Sequence, residues 1–75
     1  MWNARQFGAR LQQARMEAGF TGQQVANYLG MSGPQICRYE SGGSLPSIEK
    51  AAKLARLYRC SIDWLVGLES DNDAE

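Results

Sequence analysis

Two cysteines, Cys37 and Cys60, are the residues best suited to covalent or metal chemistry, and the chain has no histidine. Their types and spacing exclude more than they offer. A zinc site takes about four ligands, usually Cys or His, and these two stand far apart in sequence. A Cys–His catalytic pair needs an imidazole that is absent. There is no nucleophile–base pair and no glycine motif of the P-loop kind, so an enzyme is not expected, nor any metal or other cofactor. Two reduced thiols in a cytoplasmic protein are the expected state, because disulfides are rare in that compartment. Cys60 is expected to pack as a small hydrophobe. The remaining polar residues of interest are non-catalytic: Gln23, Asn27, Ser32, Gln35, Arg38, Ser41 and Ser44 fall within one short stretch.

The formal net charge of the 75 residues is zero. Its distribution says more than its sum. The last seven residues, 69–75, carry four acids and no base. Ahead of them stand eight bases against four acids (Glu17, Glu40, Glu49 and Asp63), an excess of four positive charges. Residues 1–68 are therefore read as one domain and 69–75 as an acidic, disordered tail. A chain of this size buries only about 60% of its unfolded surface, so a second copy would add stability. No apolar run approaches the roughly 18 residues of a membrane span. Residues 1–5 run directly into a polar amphipathic stretch, unlike a secretory signal.

Capping chemistry marks the elements that must position these side chains. A helix leaves its first N–H groups without partners, so a short polar side chain marks its start. Asn3 with Gln6, Thr21 with Gln24 and Ser32 with Gln35 have capping-box spacing. Trp2–Phe7, Phe20–Val25, Met31–Ile36 and Cys60–Leu65 have staple spacing. Ser47 after Pro46, and Ser61 before Asp63, start two more helices. Gly19, Gly30, Gly42 and Gly67 are the stops. The expected fold is all-α, with helices at 3–18, 21–29, 32–40, 47–59 and 61–67. Apolar residues at helical period predict the core: Phe7, Leu11, Ala14 and Ala18; Val25, Ala26 and Leu29; Ile36 and Tyr39; Ile48, Ala51, Leu54, Ala55 and Tyr58; Ile62 and Leu65.

The second and third helices are short and joined by a very tight turn. Two such helices packed near a right angle make a helix-turn-helix, whose second helix can enter the major groove. The geometry asks for a small residue at the crossing, supplied by Ala26. It also asks for a left-handed residue in the turn, and Gly30 takes that conformation without a Cβ penalty.

The stretch Phe20-Thr21-Gly22-Gln23-Gln24-Val25-Ala26-Asn27-Tyr28-Leu29-Gly30-Met31-Ser32, with Ile36-Cys37-Arg38-Tyr39-Glu40-Ser41-Gly42, resembles the Cro/C1-type (XRE-like) helix-turn-helix regulators. Pro46-Ser47-Ile48 and Ser61-Ile62-Asp63-Trp64-Leu65 extend the resemblance over residues 5–67. It implies the compact five-helix fold of the lambda-repressor-like domain. It also implies a homodimeric transcriptional regulator, of phage or bacterial origin, acting on double-stranded DNA at a near-palindromic operator. The ending at Asp63 to Gly67 resembles repressors that continue into a larger C-terminal domain.

By the same resemblance the third helix is the recognition helix. Gln35 and Arg38 would read bases, since Gln pairs with adenine N6/N7 and Arg with guanine O6/N7. Gly33 and Pro34 on the same side offer shape or apolar contact, and Cys37, on the outer face as well, is counted with the base-readout residues. Arg10, Gln23, Asn27, Ser32, Ser41 and Ser44 are the expected phosphate contacts, helped by the backbone N–H groups of the glycine-rich loop. Arg15 and Glu40 would form a structural ion pair, the alternative being two solvated charges. Trp64 and Leu68 are assigned to a dimer interface, the alternative for Trp64 being a place in the core. Gln35 acting only as a cap partner, and Arg38 acting on phosphate, are the plainer readings of those two residues. Family members often carry long polar side chains at the positions of Gly33 and Pro34, and a Gln at that of Gly22. Their absence points to more shape readout and a shallow salt dependence. A protein-interaction module or an antitoxin-type partner that kept the fold is the alternative function.

Overall fold

Polar residues stand at all five helix starts in the extended backbone of a cap: Asn3, Thr21, Ser32, Ser47 and Ser61. In the computed structural model, which describes residues 3–67, they open α1 (Ala4–Ala18), α2 (Gly22–Leu29), α3 (Gly33–Ser41), α4 (Ile48–Tyr58) and α5 (Ile62–Val66). No strand occurs among the described residues. Trp2 with its predicted staple, Leu68 and the acidic residues 69–75 lie outside them. No helix among the described residues is long and apolar enough to cross a membrane.

The caps differ in quality. Thr21 and Gln24 close a capping box from both sides, at 3.1 and 2.8 Å. Asn3, Ser47 and Ser61 each accept one N–H of the following turn. The Ser32–Gln35 box does not form. Pro34 in the first turn of α3 has no N–H to offer. The Gln35 N–H bonds the Ser32 carbonyl at 3.2 Å, not its hydroxyl. Gly19, Gly30, Gly42 and Gly67 all end helices in the left-handed region, and Arg59 does the same for α4 at φ 59°.

One core holds the helices together: Phe7, Leu11 and Ala14 of α1, Val25 and Ala26 of α2, Ile36 and Tyr39 of α3, Leu54, Ala55 and Tyr58 of α4, and Leu65 of α5. The packing is centred on α3, which lies against both α1 and α2, while α4 and α5 close over the other side of α1. Phe20, Leu29, Met31, Leu57, Cys60, Trp64 and Val66 pack around this core, half-buried.

Five residues of the predicted core are not in it: Leu29 and Ala51 are only half-buried, and Ala18, Ile48 and Ile62 are exposed. Ile48 is 88% and Ile62 40% exposed. Each is the first residue of its helix. A helical Cβ points back toward the N-terminus, so there it leans off the end of the helix and not onto the core. Ala18 is the last residue of α1 and is exposed, beside an open hollow it shares with Glu17, Arg59 and Cys60.

Candidate nucleic-acid interface

The turn between α2 and α3 is set by Gly30 at φ 71° and by a 2.8 Å bond from the Met31 N–H to the Ala26 carbonyl. Val25 and Ala26 are 0% exposed and Ile36 is 2% exposed, so the crossing is closed by apolar contact. A side chain larger than alanine at position 26 has no room there. The paired short helices form the helix-turn-helix expected from their lengths and turn.

α1 supports α3 from behind. At Gly8 the two backbones approach so closely that a Cβ would lie 2.4 Å from the Glu40 carbonyl oxygen and 2.5 Å from that of Tyr39. Half a helix further, Arg15 grips Glu40 with two bonds, Nε to Oε2 at 2.7 Å and Nη2 to Oε1 at 3.2 Å. Its remaining Nη1 donates to the Phe20 carbonyl at 2.9 Å. The pair is 15% and 8% exposed at its side chains, so it is a formed, largely buried ion pair and not two solvated charges. The hydrogen bond to Glu40 raises the Arg15 pKa further above its ordinary value, against the opposing effect of burial. Tyr58 packs nearby, its ring 6.4 Å from that of Phe20. Burial first, and the Glu40 charge second, push its phenol up to about 12.

The outer face of α3 is different. Pro34, Cys37, Arg38 and Ser41 are exposed, as is Ser32 just before the helix. The Arg38 guanidinium has no hydrogen-bond or ion-pair partner among the described residues, while its carbonyl takes bonds from Gly43, Ser44 and the Ser41 hydroxyl. Ser32 makes no side-chain cap bond. Gln35 is half-buried and its Nε2 donates to Ser44 Oγ at 3.1 Å, tying the start of α3 to the loop after it. Gln23 and Asn27 lie together on the exposed face of α2, joined by a 3.0 Å bond. The missing side chain of Gly33 leaves room for Gln23, whose Oε1 would lie 2.8 Å from a Cβ there.

Two groups assigned to the interface from sequence are engaged elsewhere. Arg10 faces α5: its Nη1 donates to the Trp64 carbonyl and its guanidinium lies 5.0 Å from the indole centroid. Trp64 is thereby half-buried, with a cation over its ring. The loop N–H groups are also taken. Those of Gly42, Gly43 and Ser44 bond the Tyr39 and Arg38 carbonyls that end α3, so they are not available as a phosphate cradle. The expectation of such a cradle is corrected on that ground: the end of a helix leaves carbonyls to be satisfied, and the nearest N–H groups satisfy them first. Cys37 is exposed and Cys60 half-buried, its thiol pKa raised by burial. No cluster able to hold a metal ion occurs among the described residues.

Gly8 was not read from sequence, although a glycine inside a helix costs about 1 kcal/mol against alanine and so signals a reason for itself. The exposed apolar trio of Leu45, Ile48 and Ile62 was missed too. With Phe7, Pro46 and Val66 it borders a groove of about 290 Å³.

The model of the helix-turn-helix family matches residues 11–65, from the middle of α1 to α5. The chain belongs to that family, in its Cro/C1-type branch. Two proteins of Bacillus subtilis are similar to it. The uncharacterized HTH-type transcriptional regulator YobD is 36% identical over 64 residues, covering 85% of this chain and 57% of its own. The HTH-type transcriptional regulator ImmR is 35% identical over 60 residues, covering 80% of this chain and 47% of its own. The chain thus spans about half the length of these relatives. Among solved structures, the P22 c2 repressor, crystallised with a synthetic operator, superposes with a TM-score of 0.76 at 22% identity, covering 84% of this chain and 96% of that one. That likeness confirms the repressor-type five-helix fold. Helix-turn-helix domains are binding modules, not enzymes.

Proposed function

We propose that this chain is a sequence-specific double-stranded DNA-binding transcriptional regulator, of repressor type, that lays α3 in the major groove. The observation that carries the reading is the asymmetry of α3. Its inner face is pinned by Gly8 and the Arg15–Glu40 pair, while its outer face presents Pro34, Cys37, Arg38 and Ser41 to solvent. A rigid helix with an unpartnered arginine on its open side is what base readout requires. Arg38 is the principal reader, bidentate to guanine. Pro34 and Gly33 set the shape of the approach, with a thymine methyl as the apolar contact. Gln23, Asn27, Ser32 and Ser41 line the edge of the groove as phosphate ligands. Gln35 reads adenine only by releasing Ser44. The relatives named as transcriptional regulators, one of them the prophage-derived YonR of Bacillus subtilis, support the same reading and a cytoplasmic place of action.

The regulator acts as a homodimer on a near-palindromic site, with its two recognition helices about 34 Å apart. Trp64 is half covered by Arg10, so the second copy meets chiefly the exposed Leu45, Ile48 and Ile62 at the starts of α4 and α5. An isoleucine 88% exposed on the wall of an apolar groove is the kind of surface that self-association removes from water.

Selection of bound sites from random duplex DNA tests the whole reading. The expected product is a two-fold site with half-sites one helical turn apart. Recovery of no preferred sequence at moderate salt would favour the alternative, a protein-interaction module that keeps the fold, for which the engagement of Gln35 and the exposed apolar trio are the supporting observations.

A further inference from the structure

Gly19, Gly30, Gly42 and Gly67 end their helices in the left-handed region, but α4 ends there on Arg59, at φ 59°. That backbone crowds the Cβ of an L residue and leaves glycine unstrained. A strained residue of this kind points to a use for its side chain. Inside the chain Arg59 has none: it is exposed, and its guanidinium joins no hydrogen bond or ion pair among the described residues. It stands on the rim of an open hollow of about 540 Å³ between the C-terminal ends of α1 and α4. That volume lies within the range of small-molecule sites, about 300–1,000 Å³.

The wall of the hollow is largely aromatic, with Phe20, Tyr58 and Trp64 beside Leu57. The Phe20 and Tyr58 rings lie 6.4 Å apart, tilted by 37°. Arg10 holds Trp64 in place from α1, through its carbonyl and its ring. Glu17 brings one acid to the same rim that carries Arg59. No ion pair joins the two; Glu17 instead accepts a 3.2 Å bond from Gln13 of its own helix. Rings flanked by one unneutralised cation and one anion match a ligand with three parts. These are an aromatic group for the wall, a carboxylate for Arg59 and an ammonium for Glu17.

We propose that this hollow binds a free aromatic α-amino acid, its ring against Phe20, Tyr58 and Trp64, its carboxylate on Arg59 and its ammonium on Glu17. Two of the wall residues also stand behind the recognition helix. The Phe20 carbonyl accepts the Arg15 Nη1 bond at 2.9 Å, and Tyr58 lies within reach of the Glu40 charge. Occupancy therefore bears on the Arg15–Glu40 pair that backs α3. The site itself does not depend on the DNA-binding reading.

The test is a titration of the full chain with L-phenylalanine, without DNA, followed by nitrogen-15 spectra. Saturable shifts are expected at Ala18, Cys60, the Trp64 indole and the Arg15 Nε–H, with a dissociation constant of about 1 mM or below. No saturable shift up to about 10 mM, or shifts gathered at Ile48, Ala52 and Val66 around the apolar groove, overturn the site. An Arg15 signal that stays fixed while the rim moves overturns the link to α3. Benzoate and phenethylamine carry the ring with one charge each and are expected to bind about tenfold more weakly. Equal binding of either overturns the amino-acid assignment. Arg59→Gly is expected to weaken phenylalanine binding about tenfold while melting no lower than the parent, since glycine suits a left-handed cap. An unchanged affinity, or a lower melting point, gives the arginine a structural role and overturns its part in the site. Glu17→Gln is expected to weaken phenylalanine and leave benzoate unchanged; a loss of both overturns the ammonium contact.

Discussion

The two faces of α3 are built on opposite plans. The inner face is fully committed: Ile36 and Tyr39 are buried, Glu40 is held by two bonds from Arg15, and its backbone meets Gly8 with no space between. The outer face has Arg38 without a side-chain partner among the described residues, and Ser32 with no cap bond of its own. A helix that must read another molecule keeps its polar groups free on one side and gains its position from the other. The first side is then cheap to alter for stability and costly for recognition, and the second the reverse.

The largest test is Glu40→Ala. Leaving Arg15 largely buried without its carboxylate should cost about 3–5 kcal/mol. That lowers the thermal midpoint by more than about 10 °C in a domain this small. Pairing Arg15→Met with Glu40→Leu should recover most of it, since replacing both charges is often near neutral. An unchanged midpoint for the single variant would remove the ion pair from the account.

Gly8→Ala comes next. The new methyl meets backbone oxygens that have no rotamer to escape into, so α1 and α3 must separate. Overpacking of this kind costs about 1–3 kcal/mol, reduced by up to about 1 from better helix propensity. A variant as stable as the parent would mean that the close approach is not part of the support.

The third test uses pH. Tyr58 has its folded-state pKa raised to about 12 from an unfolded value of 10.0. The neutral phenol is the form the fold prefers, so its contribution is complete below pH 10 and is lost as pH rises toward 12. The two-unit gap corresponds to about 2–3 kcal/mol. Denaturation followed from pH 8 to 12 should show this loss, and Tyr58→Phe should abolish it. A phenol titrating near 10 in the native protein would contradict the burial.

Arg38→Ala sharpens the comparison from the other side. Stability should change by less than about 0.5 kcal/mol, as for exposed sites generally. Discrimination of the selected site over random duplex should fall by about 1–3 kcal/mol. Equal weakening on all sequences would make Arg38 a phosphate contact. The smallest effect on folding is expected for Ile48→Glu, under about 0.5 kcal/mol in the monomer, while self-association measured by sedimentation is lost. A large drop in monomer stability would place Ile48 in a core from which its exposure excludes it.

Much of the architecture was readable before any coordinates. Thr21, Ser47 and Ser61 start helices and Gly30 turns the chain because capping and left-handed backbone are decided within a few residues. The apolar period placed Leu11, Val25, Leu54 and Leu65 in the core for the same local reason. Ile48 and Ile62 escaped that rule because a period assigns a face without saying where the neighbouring helix ends.

Local chemistry, then, determined where each helix begins, where it stops and which residues could face inward. Only the tertiary packing decided which polar groups are left over. Gln35 was drawn to Ser44, Arg10 to Trp64 and the loop N–H groups to the end of α3 by partners distant in sequence or placed by the turn. Arg38 has no acidic partner among the described residues, and Gly8 is where the backbones of α1 and α3 meet. Such pairings depend on distances between elements, and those distances exist only after the chain has folded.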